Sequence, residues 1–515
     1  MSKILLINPN KWGRGVTSIW IASHSALLKE HGHEVDLFDA TFYAQWTVDE
    51  VNYNTNNEQY LPTKYHNYVT FKDTPILIDL QKKIDSFKPD IIFWSAISSH
   101  IHGEGEYVNI QYGYELLNEI KTSAWLVTAG LQATAAPKAI MENFSKIKCI
   151  IQGYSESSLL EIANLDGDSS RLCDLPGVAL RDGSDVIVGP QKQLAPDLSY
   201  LPLYDYSIFE DQVFWRPYNG EVVRAIDYEA SRGCIYSCEY CVETIIQKFY
   251  GFDDITSRGA IKGAAKYVRA KSPEKIFSEL KLVVEKHKVQ LIRCQDTNFL
   301  TMGKKTLNGL ADLIDSSNLD IKLYIETRPE GINSNTVELL KRLKVDGVGM
   351  GVELSSDDFR EDKLMRFAST SKIVNAFKLL KEAGIKRTSY NIIGLPEQDE
   401  ESIIQTILFN RELEPDNMTV AFYSPYQGTA QQIKGNEIGY FDEYEFHVDG
   451  QLRTMSKGSL IDTDTLCFYK ANFNKLVLGS LEDLPNLKQK FFKLQEEQNC
   501  NVGKKIPMEE VKNAP

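Results

Sequence analysis

Short apolar runs alternate with amphipathic segments along the N-terminal part of the chain. The runs at 3–9, 34–38, 90–96, 124–130 and 149–153 predict buried strands, and apolar residues recur at helical spacing in 17–31 and 112–121. Buried strands that alternate with helices are typical of an open parallel sheet covered on both faces. We predict such an α/β domain over residues 1–190, with the polar segment 51–70 as a loop.

A second α/β series begins near residue 221. Its predicted strands are 222–228, 291–295, 322–326, 348–353, 389–395 and 418–424. Helices are predicted after the Ser272-Pro273-Glu274 start signal, at 336–343 and at 372–383 before Gly384. Six strands with intervening helices predict a parallel α/β barrel of the TIM type, partial or complete, over residues 191–430.

The two ends of the barrel sequence have a different character. Residues 185–206 are irregular and contain proline, which favours a linker. Beyond residue 430 the pattern weakens, with helical segments at 462–476 and 484–498. We therefore expect residues 431–515 to form a small, mainly helical C-terminal domain.

Ligands of open α/β sheets and barrels bind at the carboxyl ends of the strands. In the N-terminal sheet these ends carry small or polar residues, namely Asn8, Ser95, Ser98, Gly130 and Gly153. In the barrel they carry the segments 232–241, 296–298, 326–328 and 394–396, together with Glu353. Both domains are therefore predicted to present polar ligand-binding edges.

Composition narrows the classes of partner. The chain has 57 Lys and Arg against 71 Asp and Glu, a formal net charge of −14. This balance disfavours binding to nucleic acid or to an anionic membrane surface. The sequence contains neither an apolar run long enough to span a bilayer nor a signal-type segment after Met1. We expect a cytoplasmic protein.

Three of the eight cysteines crowd into residues 234–241, where Cys234, Cys238 and Cys241 have the spacing C-x3-C-x2-C. In a reducing compartment such a cluster indicates a metal site, and soft thiolates select zinc or iron–sulfur clusters. A structural zinc site needs a fourth ligand, whereas Cys294 and His287 stand alone. A 4Fe–4S cluster held by three cysteines would leave one iron open to another ligand.

The motif C-x3-C-x2-C directly after the first strand of an α/β barrel resembles the radical S-adenosylmethionine (SAM) superfamily. The resemblance implies that the open iron binds SAM and that one electron, from a donor such as flavodoxin or ferredoxin, yields a 5′-deoxyadenosyl radical. It also implies that Cys234, Cys238 and Cys241 are the catalytic cluster ligands.

Later segments strengthen the resemblance, namely Tyr240 and the motifs DTNF at 296–299, ETRPE at 326–330, GVE at 351–353 and NIIGLP at 391–396. The resemblance implies SAM contacts from Tyr240, Asp296, Glu326, Arg328, Glu353, Asn391 and Gly394. Carboxylates suit the amine and hydroxyls of SAM, and Arg328 suits its carboxylate. The alternatives are a structural ion pair between Glu326 and Arg328 and a helix N-cap role for Asp296.

An open α/β domain before this barrel resembles the cobalamin-binding radical SAM enzymes, with a Rossmann-like domain of the cobalamin-binding type. The matching segments are AGLQAT at 129–134 and GYSE at 153–156. The resemblance implies cobalamin contacts from Asn8, Ser95, Ser98, Gly130, Gln132 and Gly153.

The lower cobalt ligand of many cobalamin domains has no counterpart in this sequence. None of the eight histidines lies in a D-x-H-x-x-G motif. Either cobalamin binds without a histidine ligand, which we favour, or the domain has lost the cofactor. We expect His24, within the first helix, to be packed or exposed and not a ligand.

These resemblances imply a cobalamin-dependent methyltransferase that acts on an unactivated carbon of a small-molecule or lipid-like substrate, with a second SAM remethylating the cobalamin. An alternative with the same cofactors is a cyclase, ring-contraction or oxidation enzyme without net methyl transfer. A methylthiotransferase is disfavoured because it would need additional N-terminal cysteines and a basic tail. A non-catalytic binding module is disfavoured by the intact cysteine motif beside Arg328 and Glu353.

Overall fold

The computed structural model describes residues 1–95, 106–183, 185–440 and 459–498. The strands are β1 (Lys3–Asn8), β2 (Glu34–Asp39), β3 (Ile91–Ser95), β4 (Trp125–Ala129), β5 (Cys149–Ile151), β6 (Val178–Asp182), β7 (Asp185–Val188), β8 (Trp215–Tyr218), β9 (Glu221–Tyr228), β10 (Ser231–Arg232), β11 (Arg269–Ala270), β12 (Leu291–Cys294), β13 (Lys322–Thr327), β14 (Val345–Glu353), β15 (Lys386–Ile393) and β16 (Asn417–Phe422).

The helices connect and cover these strands. They are α1 (Ile19–Glu30), α2 (Glu50–Asn56), α3 (Ile76–Phe87), α4 (Glu106–Asn118), α5 (Leu131–Ala135), α6 (Pro137–Asn143), α7 (Glu156–Asn164), α8 (Glu243–Phe249), α9 (Ala264–Tyr267), α10 (Pro273–His287), α11 (Lys304–Asp315), α12 (Ser334–Arg342), α13 (Asp357–Leu364), α14 (Thr370–Glu382), α15 (Glu400–Leu413), α16 (Ala430–Glu437), α17 (Thr463–Leu478) and α18 (Leu484–Gln498).

The N-terminal sheet has the strand order β2-β1-β3-β4-β5-β6-β7, in which β1 to β5 are parallel and β6 and β7 antiparallel. The predicted open parallel sheet is therefore confirmed. The predicted loop at 51–70 is wrong in its first part, because α2 occupies Glu50–Asn56 and Asp49 caps it by accepting a hydrogen bond from the backbone N of Asn52. Only two of its residues are buried, so the apolar pattern was too weak to predict it.

The second sheet has the order β8-β9-β12-β13-β14-β15-β16. Its six strands from β9 to β16 are parallel, and β8 forms an antiparallel hairpin with β9. In the described part of the chain β8 and β16 are the two edges of this sheet, so the barrel is partial. The predicted α/β barrel is confirmed in its open form, with one antiparallel edge strand that the pattern did not predict.

The C-terminal helices pack on the open edge of this half-barrel. Phe468 and Phe473 of α17 share a buried cluster with Val420 of β16 and with Ile403 and Ile407 of α15. The α17 helix begins after Asp462, whose side chain accepts a hydrogen bond from the N of Thr465. The mainly helical character predicted for this region is confirmed, and α17 completes the apolar covering of β16.

The two sheets are joined through buried polar contacts. Thr17, in the loop between β1 and α1, donates from its N and Oγ1 to Asp227 of β9. Arg232, on β10, forms ion pairs with Glu229 and with Glu156 of α7. Among the described residues no helix has both the length and the apolar character needed to cross a bilayer.

Candidate active site between the two sheets

The cysteine loop lies between β10 and α8. Cys234 and Cys238 are buried, Cys241 is half-buried, and all three thiols are free. The N of Cys241 donates to the carbonyl of Cys238 at 2.9 Å, and Gln247 Nε2 donates to the carbonyl of Cys234 at 3.0 Å. The loop begins at Gly233, whose φ of +95° favours glycine. The backbone thus holds the three thiols on one wall of a cavity.

Burial affects the protonation of two of these thiols. It raises the pKa of Cys234 to about 12 and the pKa of Cys241 well above its ordinary value. Iron would therefore displace protons on binding, as expected for a thiolate site. In the described chain no three His, Cys, Asp or Glu side chains are gathered closely enough to hold a single metal ion. The donor set of three thiols around one loop suits a cluster with a free corner.

The cavity has a volume of about 550 Å³ and is lined by both sheets. The predicted site residues that line it are Cys234, Cys238, Cys241, Tyr240, Glu326, Arg328, Glu353, Asn391, Asn8 and Ser95. A space of this volume is in the range of small-molecule sites. The structure therefore brings residues predicted for two different cofactors to one cavity.

Tyr240 and Glu353 form a polar group beside the cysteines together with Arg366. Tyr240 Oη donates to Glu353 Oε1 at 2.8 Å, and Arg366 donates to the carbonyl of Gly351 at 2.6 Å. Arg366 Nη1 lies 3.6 Å from Glu353 Oε1, and its buried Nε has no hydrogen-bond partner in the described chain. A buried guanidinium with a free donor fits an anionic ligand such as the SAM carboxylate.

Arg366 was missed in the sequence. It follows α13 and lies outside every motif, so no local signal points to it. Arg328, by contrast, was predicted from its motif. Its Nη1 donates to Cys238 Sγ at 3.2 Å, its Nη2 pairs with Glu330 at 2.5 Å, and its guanidinium lies 3.8 Å from the centre of the Tyr236 ring. Arg328 is thus an ion-pair partner of Glu330 and a neighbour of a proposed cluster ligand.

The inner face of the half-barrel is shaped by glycines in β14. A Cβ at Gly349 would meet the hydroxyls of Tyr390 and Tyr324 at 2.6 and 2.7 Å. Tyr390 Oη donates to Glu326 Oε1 at 3.0 Å, and the two tyrosine hydroxyls are 2.7 Å apart. Glycine at this position therefore makes room for a hydrogen-bonded wall that faces the cavity.

Asp296 and Gly394 lie outside the set of described residues that line the cavity. The buried carboxylate of Asp296 accepts from the N and Oγ of Ser231 at 2.6 and 2.5 Å, and burial raises its pKa to about 7. It therefore holds the backbone just before the cysteine loop. The N of Gly394 donates to Gln398 Oε1 at 2.7 Å, and its φ is +79°.

On the N-terminal side the cavity reaches the place where the strand order of the sheet reverses. In the order β2-β1-β3 this point lies between β1 and β3, and ligands of doubly wound sheets bind there. Asn8 ends β1 and Ser95 ends β3, and both line the cavity. Ser98 lies outside the described residues. The small, polar edge at this point fits a flat ligand that faces the cysteines.

Gly130, Gln132 and Gly153 are not among the described cavity-lining residues. A Cβ at Gly153 would meet Tyr250 Oη at 2.5 Å and Phe249 Cε1 at 2.7 Å. Gly130 precedes α5, and Gln132 is buried within it; α5 packs against α8. The ends of β4 and β5 are thus covered by the helix that follows the cysteines.

His24 is a packed residue, as predicted. Its Nδ1 lies 2.6 Å from the carbonyl of Trp20, its Nε2 lies 3.0 Å from Ser155 Oγ, and its ring stacks on Phe93 at 5.0 Å. Burial lowers its pKa, which keeps the imidazole neutral.

The sequence of this chain is similar to those of several known proteins. The Radical SAM superfamily model matches residues 228–409. An uncharacterized methyltransferase of Pyrococcus horikoshii is 22% identical over 351 residues, which cover 68% of this chain and 70% of the relative. The anaerobic magnesium-protoporphyrin IX monomethyl ester cyclase of Cereibacter sphaeroides is 22% identical over 414 residues, and the match spans 78% of this chain but only 62% of that protein.

Two solved structures share the fold over most of the chain. The radical SAM methyltransferase TsrM from Kitasatospora setae, with tryptophan substrate and a SAM analogue, matches with a TM-score of 0.61 and 16% identity, covering 85% of this chain and 76% of that one. The cobalamin-dependent radical SAM enzyme OxsB, with aqua-cobalamin and SAM, matches with a TM-score of 0.61 and 15% identity, covering 97% of this chain and 71% of that one. Residues 228–409 therefore form a radical SAM domain, and the chain shares the overall fold of these two cobalamin-related structures.

Proposed function

We propose that the protein transfers a methyl group to an unactivated carbon of a small-molecule substrate and uses a 4Fe–4S cluster, SAM and cobalamin. One observation carries the proposal: a single cavity is lined by the three cysteines and by Asn8 and Ser95 at the switch point of the N-terminal sheet. Names of relatives support it, since TsrM and the Pyrococcus protein are both described as methyltransferases.

The cysteines would hold the cluster. When bound with SAM, the cluster supplies the electron that releases a 5′-deoxyadenosyl radical. Arg366 has a free buried donor for the SAM carboxylate, and Glu353 and Tyr240 are placed beside it. Asn391 lines the same cavity from β15, and Asp296 and Gly394 would act by fixing the backbone around it. The glycines of β14 leave room for the side chains of Tyr324, Tyr390 and Arg366 on the wall of this cavity.

The N-terminal sheet would hold cobalamin. Bound there, cobalamin would be the carrier of the methyl group. Asn8 and Ser95 would contact it at the switch point. The neighbouring edge of the sheet, under α8, would be shaped by Gly130, Gln132 and Gly153. Ser98, three residues after Ser95, would be a further cobalamin contact.

The direct test is anaerobic reconstitution with iron, sulfide and hydroxocobalamin, followed by a visible spectrum and incubation with SAM and dithionite. The expected result is iron–sulfur and corrin absorption and release of 5′-deoxyadenosine. Cys238→Ala should abolish both the iron–sulfur absorption and the release. Cys173→Ala removes a half-buried thiol away from the cavity and serves as the matched control. Release that persists in the Cys238 variant would contradict the proposal.

Methyl transfer is separated from the alternative by the product. With SAM that carries a CD3 group, a methyltransferase replaces one hydrogen of the substrate with an intact CD3 group. The alternative is a cyclase-type reaction with the same cofactors and no methyl transfer, and the name of the Cereibacter relative supports it. A modified but unlabelled product would identify that second function.

An external low-potential protein, such as flavodoxin or ferredoxin, would deliver the electron in place of dithionite. The net charge of −14 supports a small-molecule substrate over nucleic acid.

A further inference from the structure

A group of three arginines lines the cavity away from the cysteine loop. Arg14 comes from the loop after β1, Arg216 from β8 and Arg293 from β12. We call these three residues the arginine cluster. They converge around Asp227 of β9, which Arg216 hydrogen bonds and which interacts electrostatically with Arg293 and Arg14. Three guanidinium groups from two domains therefore meet in the space left for substrate.

The nearby carboxylates are already engaged. Asp227 is hydrogen bonded by Arg216 Nη2 and by Thr17, and its Oδ1 lies 3.6 Å from Arg293 Nη1. Glu50 accepts from Arg14 Nε at 2.7 Å and from Tyr60 Oη at 3.0 Å. Two carboxylates thus face three guanidiniums. Further along the wall, Glu326 accepts a hydrogen bond from Tyr390.

Arg216 has two donor nitrogens that are not used in hydrogen bonds within the described chain. Its side chain is 2% exposed, and its Nε and Nη1 have no hydrogen-bond partner in the described chain. Burial, together with the like charges of Arg14 and Arg293, lowers the pKa of Arg216. Buried donors without partners are costly, and an anion between the guanidiniums would satisfy them and offset the repulsion.

Tyrosines also line this cavity, among them Tyr60, Tyr218, Tyr324 and Tyr390. Burial raises the pKa of Tyr60 and of Tyr324 to about 12, so both phenols stay protonated at neutral pH. These rings offer flat apolar surface beside the arginine cluster.

We propose that the substrate is a small molecule with a carboxylate or phosphate group held by Arg216 and Arg293, and with an apolar or aromatic part against the tyrosines. The inference rests on the proposed function, because it takes this end of the cavity as the substrate site. It extends that function by naming the chemical class of the substrate.

Binding can be measured without turnover, by calorimetry on the reconstituted full-length protein. The probes are phenylacetate, phenyl phosphate and the uncharged phenylacetamide at constant ionic strength. We expect at least one of the two anions to bind about tenfold or more tightly than the amide, since a charge-assisted pair contributes more than a neutral one. The anion that binds more tightly identifies the acidic group.

Two variants test whether the arginine cluster causes the preference for the anion. Arg293→Gln, at a partly exposed side chain, should remove most of the preference for the anion and leave amide binding in place. Arg342→Gln, which removes an exposed charge on α12, should keep the preference. Equal or absent binding of the acids relative to the amide, or an undiminished preference in Arg293→Gln, would overturn the inference. Release of 5′-deoxyadenosine is measured separately, so a failure of the proposed function is distinguished from a failure of this inference.

Discussion

At the scale of single residues, Arg366 is a buried arginine beside the cysteine loop. It contacts the carbonyl of Gly351 and lies 3.4 Å from the hydroxyl of Tyr240, and its buried Nε has no hydrogen-bond partner within the described residues. Because Tyr240 immediately precedes Cys241, a ligand that engages Arg366 would lie against the proposed cluster.

Replacing Arg366 by Gln should weaken SAM binding. The variant loses a charge-assisted contact with the SAM carboxylate, so the KM for SAM in 5′-deoxyadenosine release should rise roughly ten- to one-hundredfold. Iron content should stay at the wild-type level, and Arg366→Lys should recover part of the affinity. Lost iron with an unchanged KM would instead assign Arg366 to the stability of the loop.

Asp296 is a buried carboxyl whose protonation should affect stability. Burial raises its pKa from 3.8 to about 7, so the folded state binds a proton more tightly than the unfolded chain. This group therefore contributes stability that is fully present below about pH 4 and is lost as the pH rises through about 7.

The variant Asp296→Asn isolates that contribution. Its free energy of unfolding, minus that of the wild type, should increase between about pH 4 and about pH 7 and be level above that range. Urea denaturation at several pH values measures the difference. The same curve should appear at high salt, because a buried group is poorly screened. A difference independent of pH would show that Asp296 is ionised in the folded state throughout.

The sequence predicted the residues that belong to local motifs and missed those that arrive from elsewhere. Cys234, Cys238 and Cys241 are neighbours in sequence, so their convergence needs only a loop. Arg366 and Arg216 reach the cavity through tertiary packing, and no spacing in the sequence encodes it. The AGLQAT and GYSE segments resemble cobalamin-binding motifs, yet in the structure α8 packs over them. Because α8 belongs to the half-barrel, this contact could not be read from the local sequence.

At the scale of elements, helix α8 connects the cysteine loop to the N-terminal sheet. It starts two residues after Cys241, and the chain after it places Tyr250 against Gly153, where Tyr250 Oη accepts from the N of Tyr154 at 3.0 Å. Movement of α8 would therefore shift both the cluster ligands and the end of β5.

Gly153→Ala should test this contact. The new Cβ would approach Tyr250 Oη at 2.5 Å, and Gly153 has a φ of +67°. Gly167 has a φ of +89°, and no atom lies within 4 Å of the position that a Cβ would take there, so Gly167→Ala carries the backbone strain without the clash. We expect Gly167→Ala to cost about 1 kcal/mol and Gly153→Ala about 1–3 kcal/mol more, measured by urea unfolding. Equal losses of unfolding free energy in the two variants would show that Phe249 and Tyr250 move aside without cost.

Elements with strong periodicity were predictable, and short or edge elements were not. Strands β12, β13, β14 and β16 each carry several buried apolar residues and lie between helices with buried apolar faces, which explains why their existence followed from pattern alone. Strand β8 is an edge strand of four residues that includes Pro217, and proline argues against a strand in any sequence-based assignment.

At the scale of the whole molecule, the two sheets are held in one orientation by buried charges. Arg232 Nη2 lies 2.5 Å from Glu156 of α7 and 2.5 Å from Glu229, and its guanidinium lies 4.8 Å from the Tyr154 ring. Arg232 is two residues before Cys234, so this contact between domains adjoins the cluster loop.

Glu156→Gln should therefore destabilise the folded protein as a unit. Burial alone would raise the pKa of Glu156, but Arg232 outweighs it and the pKa is lowered, so the carboxylate is charged at neutral pH. Removing that charge leaves Arg232 with Glu229 alone, and loss of one partner of a buried ion pair costs about 3 kcal/mol. Urea unfolding followed by tryptophan fluorescence and by cluster absorbance should show both signals shifted together, because Arg232 connects the domain interface to the loop of cysteines.

The matched control is Glu142→Gln on α6, which removes an exposed carboxylate 3.8 Å from Lys138. An exposed ion pair of this kind contributes little, so the free energy of unfolding should change by less than about 0.5 kcal/mol. If Glu156→Gln behaved like this control, the two sheets would be held together by apolar packing and the buried charges would not set their orientation. If the fluorescence transition moved while the cluster absorbance did not, Arg232 would stabilise the interface without coupling it to the cysteine loop.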